Sequence, residues 1–241
     1  MCKNNLLSLD TVPGSKYFIY QGKNAFRYCT DSIILSSFAN VRGLILDAGC
    51  GNGILSLRII DRVYEVYGVD KDENALDLFK KSILKNKIEK IKIINCDLKD
   101  LWEKYNEKFD AIIFNPPYFS KSLKSKDSTK YARHSDDLNM IVASLVKTLK
   151  FKGSINMVFP ANRLAELISI LRANKLEPKR LKLVRNTENA DAKIFLIEAK
   201  KGANISLKIE RDLILYRDGK MTEDLISIYG DERWFIFVLA Q

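Results

Sequence analysis

The chain has 241 residues, of which 46% are hydrophobic and 10% aromatic, and this content supports a full α/β core and excludes a disordered chain. Forty lysines and arginines against thirty aspartates and glutamates give a net charge of +10. That excess favours a polyanionic partner such as RNA, DNA or an anionic membrane surface, although a basic protein without such a partner stays an open alternative. The most apolar stretch of the tail, residues 234–239, is too short to span a bilayer.

The thiols and the single imidazole are scattered along the sequence. No C-x-x-C pair occurs, and His134 is far in sequence from every cysteine, so we expect reduced thiols and no metal site. The four cysteines are Cys2, Cys29, Cys50 and Cys96. Residues 1–10 lack the basic-then-apolar pattern of a signal peptide, which predicts a cytoplasmic protein without a membrane partner.

Residues 1–40 are interpreted as an N-terminal leader with its own short elements. The aromatic run at residues 17–20 predicts a small strand, with a turn after it at Gly22. Thr30 or Asp31 is expected to cap a helix that runs to Asn40. No flexible linker follows, so we expect the leader to pack on the core formed by residues 41–241, which we interpret as a single structural unit.

The next hundred residues alternate between apolar strand patterns and amphipathic helix patterns. This alternation predicts an α/β fold with a mostly parallel sheet, right-handed crossovers and helices on both faces. The expected strands are residues 44–46, 66–69, 91–94 and 109–114, and the helices between them begin near Gly53 and after Asp72.

A polar residue follows each of these four strands: Asp47, Asp70, Asp97 and Asn115. In an open parallel sheet, ligands bind outside the carboxyl ends of the strands. Four polar side chains at four successive strand ends therefore predict a ligand site at this edge.

Beyond this edge, residues 120–133 are basic and lack apolar periodicity, so we predict a mobile basic loop. A helix is expected through residues 138–149 and another at 164–172. The remaining strands are expected at 155–159, 181–184, 194–198 and 213–216.

The turn after the first of these strands has the pattern D-x-G-x-G-x-G. Gly49, Gly51 and Gly53 permit a tight turn and let a ligand approach the backbone closely. The turn matches neither the G-x-G-x-x-G of dinucleotide sites nor a P-loop, and its leading Asp47 suits an amino-acid and sulfonium group better than a pyrophosphate. Asp70 lies at the spacing of a ribose-binding acid, and Asp97 can accept from an adenine amino group. The glycine turn and these acids together predict S-adenosylmethionine as the cofactor. The alternative is that the segment is only a strand-to-helix turn and that the aspartates are ordinary surface residues.

The strand at residues 109–114 ends on Asn115-Pro116-Pro117-Tyr118, where two prolines stop the ladder. The Asn115 amide oxygen and the Pro116 carbonyl can accept both N–H bonds of an aromatic amino group. Pro117 makes these acceptors rigid, and Tyr118 can stack on the base. The segment predicts an amino-methylating site, whereas a simple Pro-Pro turn is the alternative.

The two motifs D-A-G-C-G-N-G and N-P-P-Y resemble those of the class I S-adenosylmethionine-dependent methyltransferases with a Rossmann-like fold. Much of the chain, from Tyr17 to Gly230, is similar to the bacterial adenine-N6 methyltransferases of tRNA1(Val). That similarity rests on Gln21 with residues 26–32, on Ala132-Arg133-His134, on residues 177–180, and on residues 216–219 with Thr222-Glu223.

This resemblance implies a role for each site residue. The cofactor is expected to bind at Asp47, Gly49, Gly51, Gly53, Asp70 and Asp97, and Phe26 and Thr30 of the leader close over it. Asn115 to Tyr118 hold the target base, and Asn115 is also expected beside the cofactor.

Basic residues that follow the Asn115–Tyr118 segment are expected to contact phosphates of the predicted partner, tRNA. The enzyme is expected to be a monomer. They are Lys121, Lys124, Lys126, Lys130 and Arg133, and Lys179, Arg180, Lys182 and Arg185 are candidates to extend the surface. Three alternatives stay open: a release-factor glutamine methyltransferase, a guanine-amino methyltransferase of ribosomal RNA, and an idle RNA-binding module. The short leader counts against the first two.

Overall fold

Strands and helices alternate along the chain in the computed structural model. It describes residues 7–22, 28–116 and 128–230, and for residues 128–135 it describes the backbone alone. Short 3₁₀ turns at Ile60–Arg62, Leu101–Glu103 and Ala161–Arg163 supplement the longer elements. These longer elements are β1 (Leu7–Thr11), β2 (Phe18–Gly22), α1 (Thr30–Phe38), β3 (Leu44–Ala48), α2 (Ile54–Ile59), β4 (Glu65–Asp70), α3 (Glu73–Asn86), β5 (Ile91–Asn95), β6 (Phe109–Phe114), α4 (Ser128–Thr148), β7 (Leu149–Pro160), α5 (Leu164–Ala173), β8 (Leu176–Arg185), β9 (Ala192–Lys201), β10 (Lys208–Ile209), β11 (Leu213–Ile214), β12 (Tyr216–Arg217), β13 (Lys220–Met221) and α6 (Glu223–Tyr229).

A nine-stranded sheet forms the centre of the described structure. Its strand order is β10-β8-β9-β7-β6-β3-β4-β5, and β11 pairs with β8. Only β9 runs antiparallel to the strands beside it in this sheet. The prediction of a mostly parallel α/β sheet is confirmed, and the carboxyl ends of β5, β4, β3, β6 and β7 lie side by side at one edge.

Helices cover both faces of the sheet because successive strand residues point to opposite sides. Ile45, Val66 and Ile113 join a buried cluster with residues of α1, α2 and α3. Their neighbours in sequence, including Leu46 and Ile112, join a second cluster with residues of α4 and α5. A strand buried on both faces has a continuous apolar run, which is what the sequence shows at these strands.

The leader packs against α3 and α2 in its described parts, residues 7–22 and 28–40. β1 and β2 form an antiparallel hairpin. The Tyr20 N–H donates to Ser82 Oγ at 2.9 Å, and Asn86 of α3 exchanges bonds with the backbone of Phe18. Val12 and Ile19 are completely buried in the same cluster as α1.

The helix starts show which capping predictions hold. Asp72 caps α3 by accepting from the N–H groups of Asn74 and Ala75, as predicted. The prediction that Thr30 or Asp31 caps α1 is wrong, because the N-cap position is Cys29 and its side chain makes no capping bond. The buried environment of α1 stabilises the helix instead, since six of its nine residues are buried.

Two element predictions in the second half need correction. The proposed loop at residues 120–133 includes the first turns of α4, which begins at Ser128. Its polar beginning carries no apolar stripe, so hydrophobic periodicity could not detect it. The strand predicted at 213–216 is split, because β11 pairs with β8 whereas Tyr216 begins the separate hairpin β12–β13.

Candidate active site

A cavity of about 440 Å³ opens at the carboxyl ends of β3 to β7. This volume lies in the range of small-molecule sites, and the position at the strand ends is where open parallel sheets bind ligands. Its walls come from the turns after these strands and from α4. The lining residues are Gly49, Gly51, Asp70, Lys71, Asp72, Ala75, Cys96, Asp97, Leu98, Lys99, Phe114, Asn115, Pro116, Asp137, Leu138, Ile141, Phe159 and Arg163.

The glycine turn forms one wall with its backbone. Gly49 and Gly51 have φ values of +65° and +53°, which residues other than glycine rarely adopt. A Cβ on Gly51 would meet no atom within 4 Å, so the missing side chain leaves open space at the turn. The Gly51 N–H donates to Asp70 Oδ2 at 2.9 Å, and this bond ties the turn to the end of β4.

Two predicted cofactor residues shape this turn from beneath without lining the cavity. A Cβ on Gly53 would lie 2.1 Å from the Phe79 ring, so the turn can pack on α3 only with glycine there. Asp47 is fully buried, and its Oδ2 accepts from the backbone N–H and the hydroxyl of Ser56 at 3.0 and 2.6 Å. Burial raises the pKa of Asp47 from 3.8 to about 7.

The other two predicted acids lie on the cavity wall. Asp70 accepts from the N–H groups of Gly51 and Asp72 at 2.9 and 3.0 Å, which fixes its carboxylate at the end of β4. Asp97 accepts from the Lys99 N–H at 3.0 Å, and the Lys71 ammonium lies 3.8 Å from its Oδ2. The structure therefore brings both acids to one side of the cavity, Asp70 at the end of β4 and Asp97 just after the neighbouring strand β5.

Asn115 follows β6 on the same edge, next to Pro116. Its Nδ2 donates to Ser32 Oγ at 2.9 Å and approaches Cys29 Sγ at 3.7 Å. Its Oδ1 is buried and accepts no hydrogen bond from the described residues. A buried acceptor without a partner costs free energy, so this atom is suited to receive an N–H from a ligand.

The remaining predicted site residues are placed as follows. Thr30 begins α1 and is not among the residues that line the cavity, and its hydroxyl accepts from the Tyr229 hydroxyl at 3.3 Å. Lys130 and Arg133 belong to α4, but their side chains lie outside what the structure describes. Phe26, Pro117, Tyr118, Lys121, Lys124 and Lys126 also lie outside the described residues.

Sequence reasoning missed the far wall of the cavity, at the end of β7. The parallel register of β6 and β7 ends at the pair Phe114 and Met157, and Pro116 and Phe159, each two residues further on, both line the cavity. The guanidinium of Arg163 lies 4.7 Å from the Phe159 ring centroid and makes two bonds to Glu166 at 2.7 and 2.6 Å. The strand-end rule that identified Asn115 could have identified Phe159 too, because β7 is the next strand in the sheet.

Two kinds of feature are absent from the described ranges. No group of three or more His, Cys, Asp or Glu side chains there could hold a metal ion. None of the helices in these ranges combines the length and apolar character needed to cross a membrane.

The fold is that of a class I methyltransferase. A predicted O-methyltransferase from Agrobacterium tumefaciens superposes with a TM-score of 0.65 at 16% identity, covering 83% of this chain and 96% of that one. TYW2 from M. jannaschii, solved in complex with AdoMet, gives a TM-score of 0.59 at 12% identity over 83% of this chain and 88% of that one. At these identities the similarity establishes the fold alone.

Sequence comparison gives the family. The model for the methyltransferase small domain matches residues 29–174, more than half of the chain. A tRNA1(Val) (adenine(37)-N6)-methyltransferase from Parabacteroides distasonis is 30% identical over 81% of this chain and 89% of its own length. A protein of the same name from a Flavobacteriaceae bacterium is 26% identical over 81% of this chain and 86% of its own length. The chain belongs to the methyltransferase small domain family, and it is an S-adenosylmethionine-dependent methyltransferase.

The residues at the cavity fit that cofactor. Gly51 leaves open space where any side chain would project, so a ligand can lie against the turn. The carboxylates of Asp70 and Asp97 are acceptors of the kind that ribose hydroxyls and an adenine amino group require. These groups lie on one side of the cavity, and Asn115 lies on the other side of the glycine turn, next to β7.

Proposed function

We propose that this enzyme methylates the N6 amino group of an adenine in tRNA, with adenine 37 of tRNA1(Val) as the target. One observation supports an amino group as the group that receives the methyl. The Asn115 Oδ1 atom is buried at the end of β6 without a partner among the described residues, and an amino group can supply the missing donor. The names of the curated relatives support adenine as the base and tRNA as the molecule.

The protein groups in this proposal bind and orient the acceptor. When bound, S-adenosylmethionine supplies an electrophilic methyl group. Asn115 Oδ1 accepts one N–H of the adenine amino group, and the Pro116 carbonyl is proposed to accept the other. Holding both N–H bonds favours a pyramidal nitrogen whose lone pair is less delocalised into the ring. The amide oxygen is too weak a base to take the proton that the methylated nitrogen loses, so that proton goes to water and alignment supplies most of the rate.

The roles of Pro117 and Tyr118 remain part of this proposal, as rigid support and stacking surface for the base. Lys121, Lys124, Lys126, Lys130 and Arg133 are proposed to contact RNA phosphates. Phe26 and Thr30 are proposed to lie near the cofactor. A monomeric state and a cytoplasmic location, where tRNA is found, complete the proposal.

The test is the substitution Asn115→Ala. We expect the rate of methyl transfer to a tRNA1(Val) transcript to fall at least about a hundredfold, because the amino group no longer has its acceptor. The affinity for S-adenosylmethionine, measured by titration calorimetry, should change less than about threefold. Asn139→Ala, an exposed asparagine on α4, serves as the control and should leave both quantities unchanged.

A second measurement decides the substrate class. Labelled S-adenosylmethionine is incubated with tRNA, ribosomal RNA and release factor in separate reactions, and the modified nucleoside is identified by mass spectrometry. Label in N6-methyladenosine of tRNA supports the proposal. Label only in protein or in guanine of ribosomal RNA contradicts it.

A further inference from the structure

The carboxamide of Asn115 has two ends of nearly equal size and opposite hydrogen-bonding character. Its oxygen only accepts and its nitrogen only donates. A rotation of 180° exchanges the two and would present a donor to an incoming amino group, which is itself a donor. The proposed reaction therefore requires a group that holds the amide in one orientation.

Ser32 of α1 is that group in the structure. Its hydroxyl oxygen accepts from Asn115 Nδ2 at 2.9 Å, and Ser32 is 5% exposed. Cys29 Sγ lies 3.7 Å from the same nitrogen, where a sulfur makes only a weak acceptor. With its nitrogen bound to Ser32, the amide directs Oδ1 to a position where no described residue donates to it.

The position of Ser32 is rigid because α1 is held along its length. Ile33 and Leu35 beside it are completely buried in the core cluster. One turn further on, Ser36 Oγ accepts from the Arg58 guanidinium at 2.5 Å. A hydroxyl on a fixed, buried helix can hold a partner side chain in one orientation.

We infer that Ser32 is a positioning residue that selects the orientation of the Asn115 carboxamide needed for methyl transfer. The inference rests on the proposed function of Asn115. It also gives the leader a part in the reaction, since residue 32 is 83 positions from residue 115 in the chain.

The experiment compares serine substitutions on the same helix. Ser32→Ala removes the acceptor, and we expect kcat for tRNA methylation to fall about tenfold, the value of a neutral hydrogen bond. The KM for tRNA and the dissociation constant of S-adenosylmethionine should change less than about twofold, because the substitution acts on the orientation of Asn115 and not on the binding of either ligand. Ser32→Cys keeps a similar volume but offers a weak acceptor, so it should give the same loss if the alanine variant is unstable.

Two controls separate positioning from stability. Ser37→Ala changes an exposed serine of α1 and should alter nothing. Ser36→Ala changes a buried serine that binds Arg58, so it should lower the unfolding midpoint while kcat stays within about twofold. Ser32→Thr keeps the hydroxyl and should retain kcat within about threefold.

The outcomes distinguish this inference from the function on which it rests. Full activity of Asn115→Ala would overturn the proposed function. An inactive Asn115→Ala together with wild-type kcat in folded Ser32→Ala would overturn the role of Ser32 alone. A folded Ser32→Thr variant that loses as much kcat as Ser32→Ala would also contradict it. A loss in kcat for Ser32→Ala and Ser32→Cys, with ligand affinities preserved, supports the inference.

Discussion

At the scale of single residues, Asp47 is a predicted cofactor residue whose side chain is buried next to the cavity and does not line it. The sequence predicts that Asp47 contacts the cofactor, but its carboxylate lies beneath the glycine turn and accepts hydrogen bonds from Ser56. Its second oxygen has no partner among the described residues. Burial therefore favours the neutral acid, and the pKa is about 7 in the folded chain. We propose that Asp47 supports the turn that holds the cofactor.

Asp47 should make folding stability depend on pH. The folded pKa of about 7 exceeds the ordinary 3.8, so the folded state binds this proton more tightly. Its stabilising contribution is fully present below about pH 4 and is lost as the pH rises to about 7. In urea titrations, the stability of the wild type relative to Asp47→Asn should fall across this window by up to about 1.4 kcal/mol per pH unit.

Asp61→Asn is the matched control for this experiment. The Tyr17 hydroxyl donates to Asp61 and lowers the pKa of that carboxyl, so its effect on stability should change only below about pH 4. Equal pH dependence of the wild type and Asp47→Asn between pH 4 and 7 would show that Asp47 ionises normally in the folded chain.

At the scale of elements, Arg58 of α2 connects three segments that are distant in sequence. Its guanidinium donates to the Pro13 carbonyl after β1, to Ser36 of α1, and to the Ile228 carbonyl of α6 at 2.8 Å. Burial lowers the pKa of Arg58 to about 10, which still leaves it charged at neutral pH. One cation thus holds the leader and α6 against the core.

Substituting Arg58 should loosen this connection. In Arg58→Met the apolar volume is kept, but two carbonyls and a hydroxyl are left without their donor, and we expect the free energy of unfolding to fall by about 2–3 kcal/mol. Hydrogen exchange should increase most in the hairpin β1–β2 and in α6. Arg172→Met removes the pair between the exposed Arg172 at the end of α5 and the half-buried Glu177 of β8, so its effect should stay within about 1 kcal/mol. Equal losses in the two variants would refute the connecting role.

At the scale of the whole molecule, the net charge of +10 is not evenly available to a polyanion. Arg180 pairs with Glu198 and Glu210 at 2.9 and 2.6 Å, and Arg185 pairs with Asp212 at 2.6 Å. The suggestion that this strand extends an RNA surface is therefore weakened, because its arginines are already neutralised by neighbouring carboxylates. The basic residues from Lys121 onward remain the proposed RNA-binding region.

Neutralising Lys121, Lys124 and Lys126 to glutamine should weaken tRNA binding and reduce its salt dependence. Each lysine that no longer neutralises a phosphate lowers the slope of log K against log salt by about 0.7–0.9. Filter binding at several salt concentrations measures this slope. The matched control neutralises the exposed Lys81, Lys87 and Lys90, on the second half of α3 and before β5, and should leave the slope nearly unchanged. If the wild type and the variant of Lys121, Lys124 and Lys126 gave equal salt slopes, these lysines would not contact the tRNA.

The sequence by itself determined the parallel sheet, its strand ends and the family, because each of these can be recognised from short stretches of neighbouring residues. Apolar runs, an aspartate cap at α3 and glycines at positive φ need only neighbouring residues. Only the tertiary structure decided which side chains meet. Ser32 reaches Asn115, Phe159 and Pro116 both line the cavity, and Asp47 accepts from Ser56 without lining the cavity. Such contacts depend on the docking of helices on the sheet and on strand register, and no local pattern encodes either.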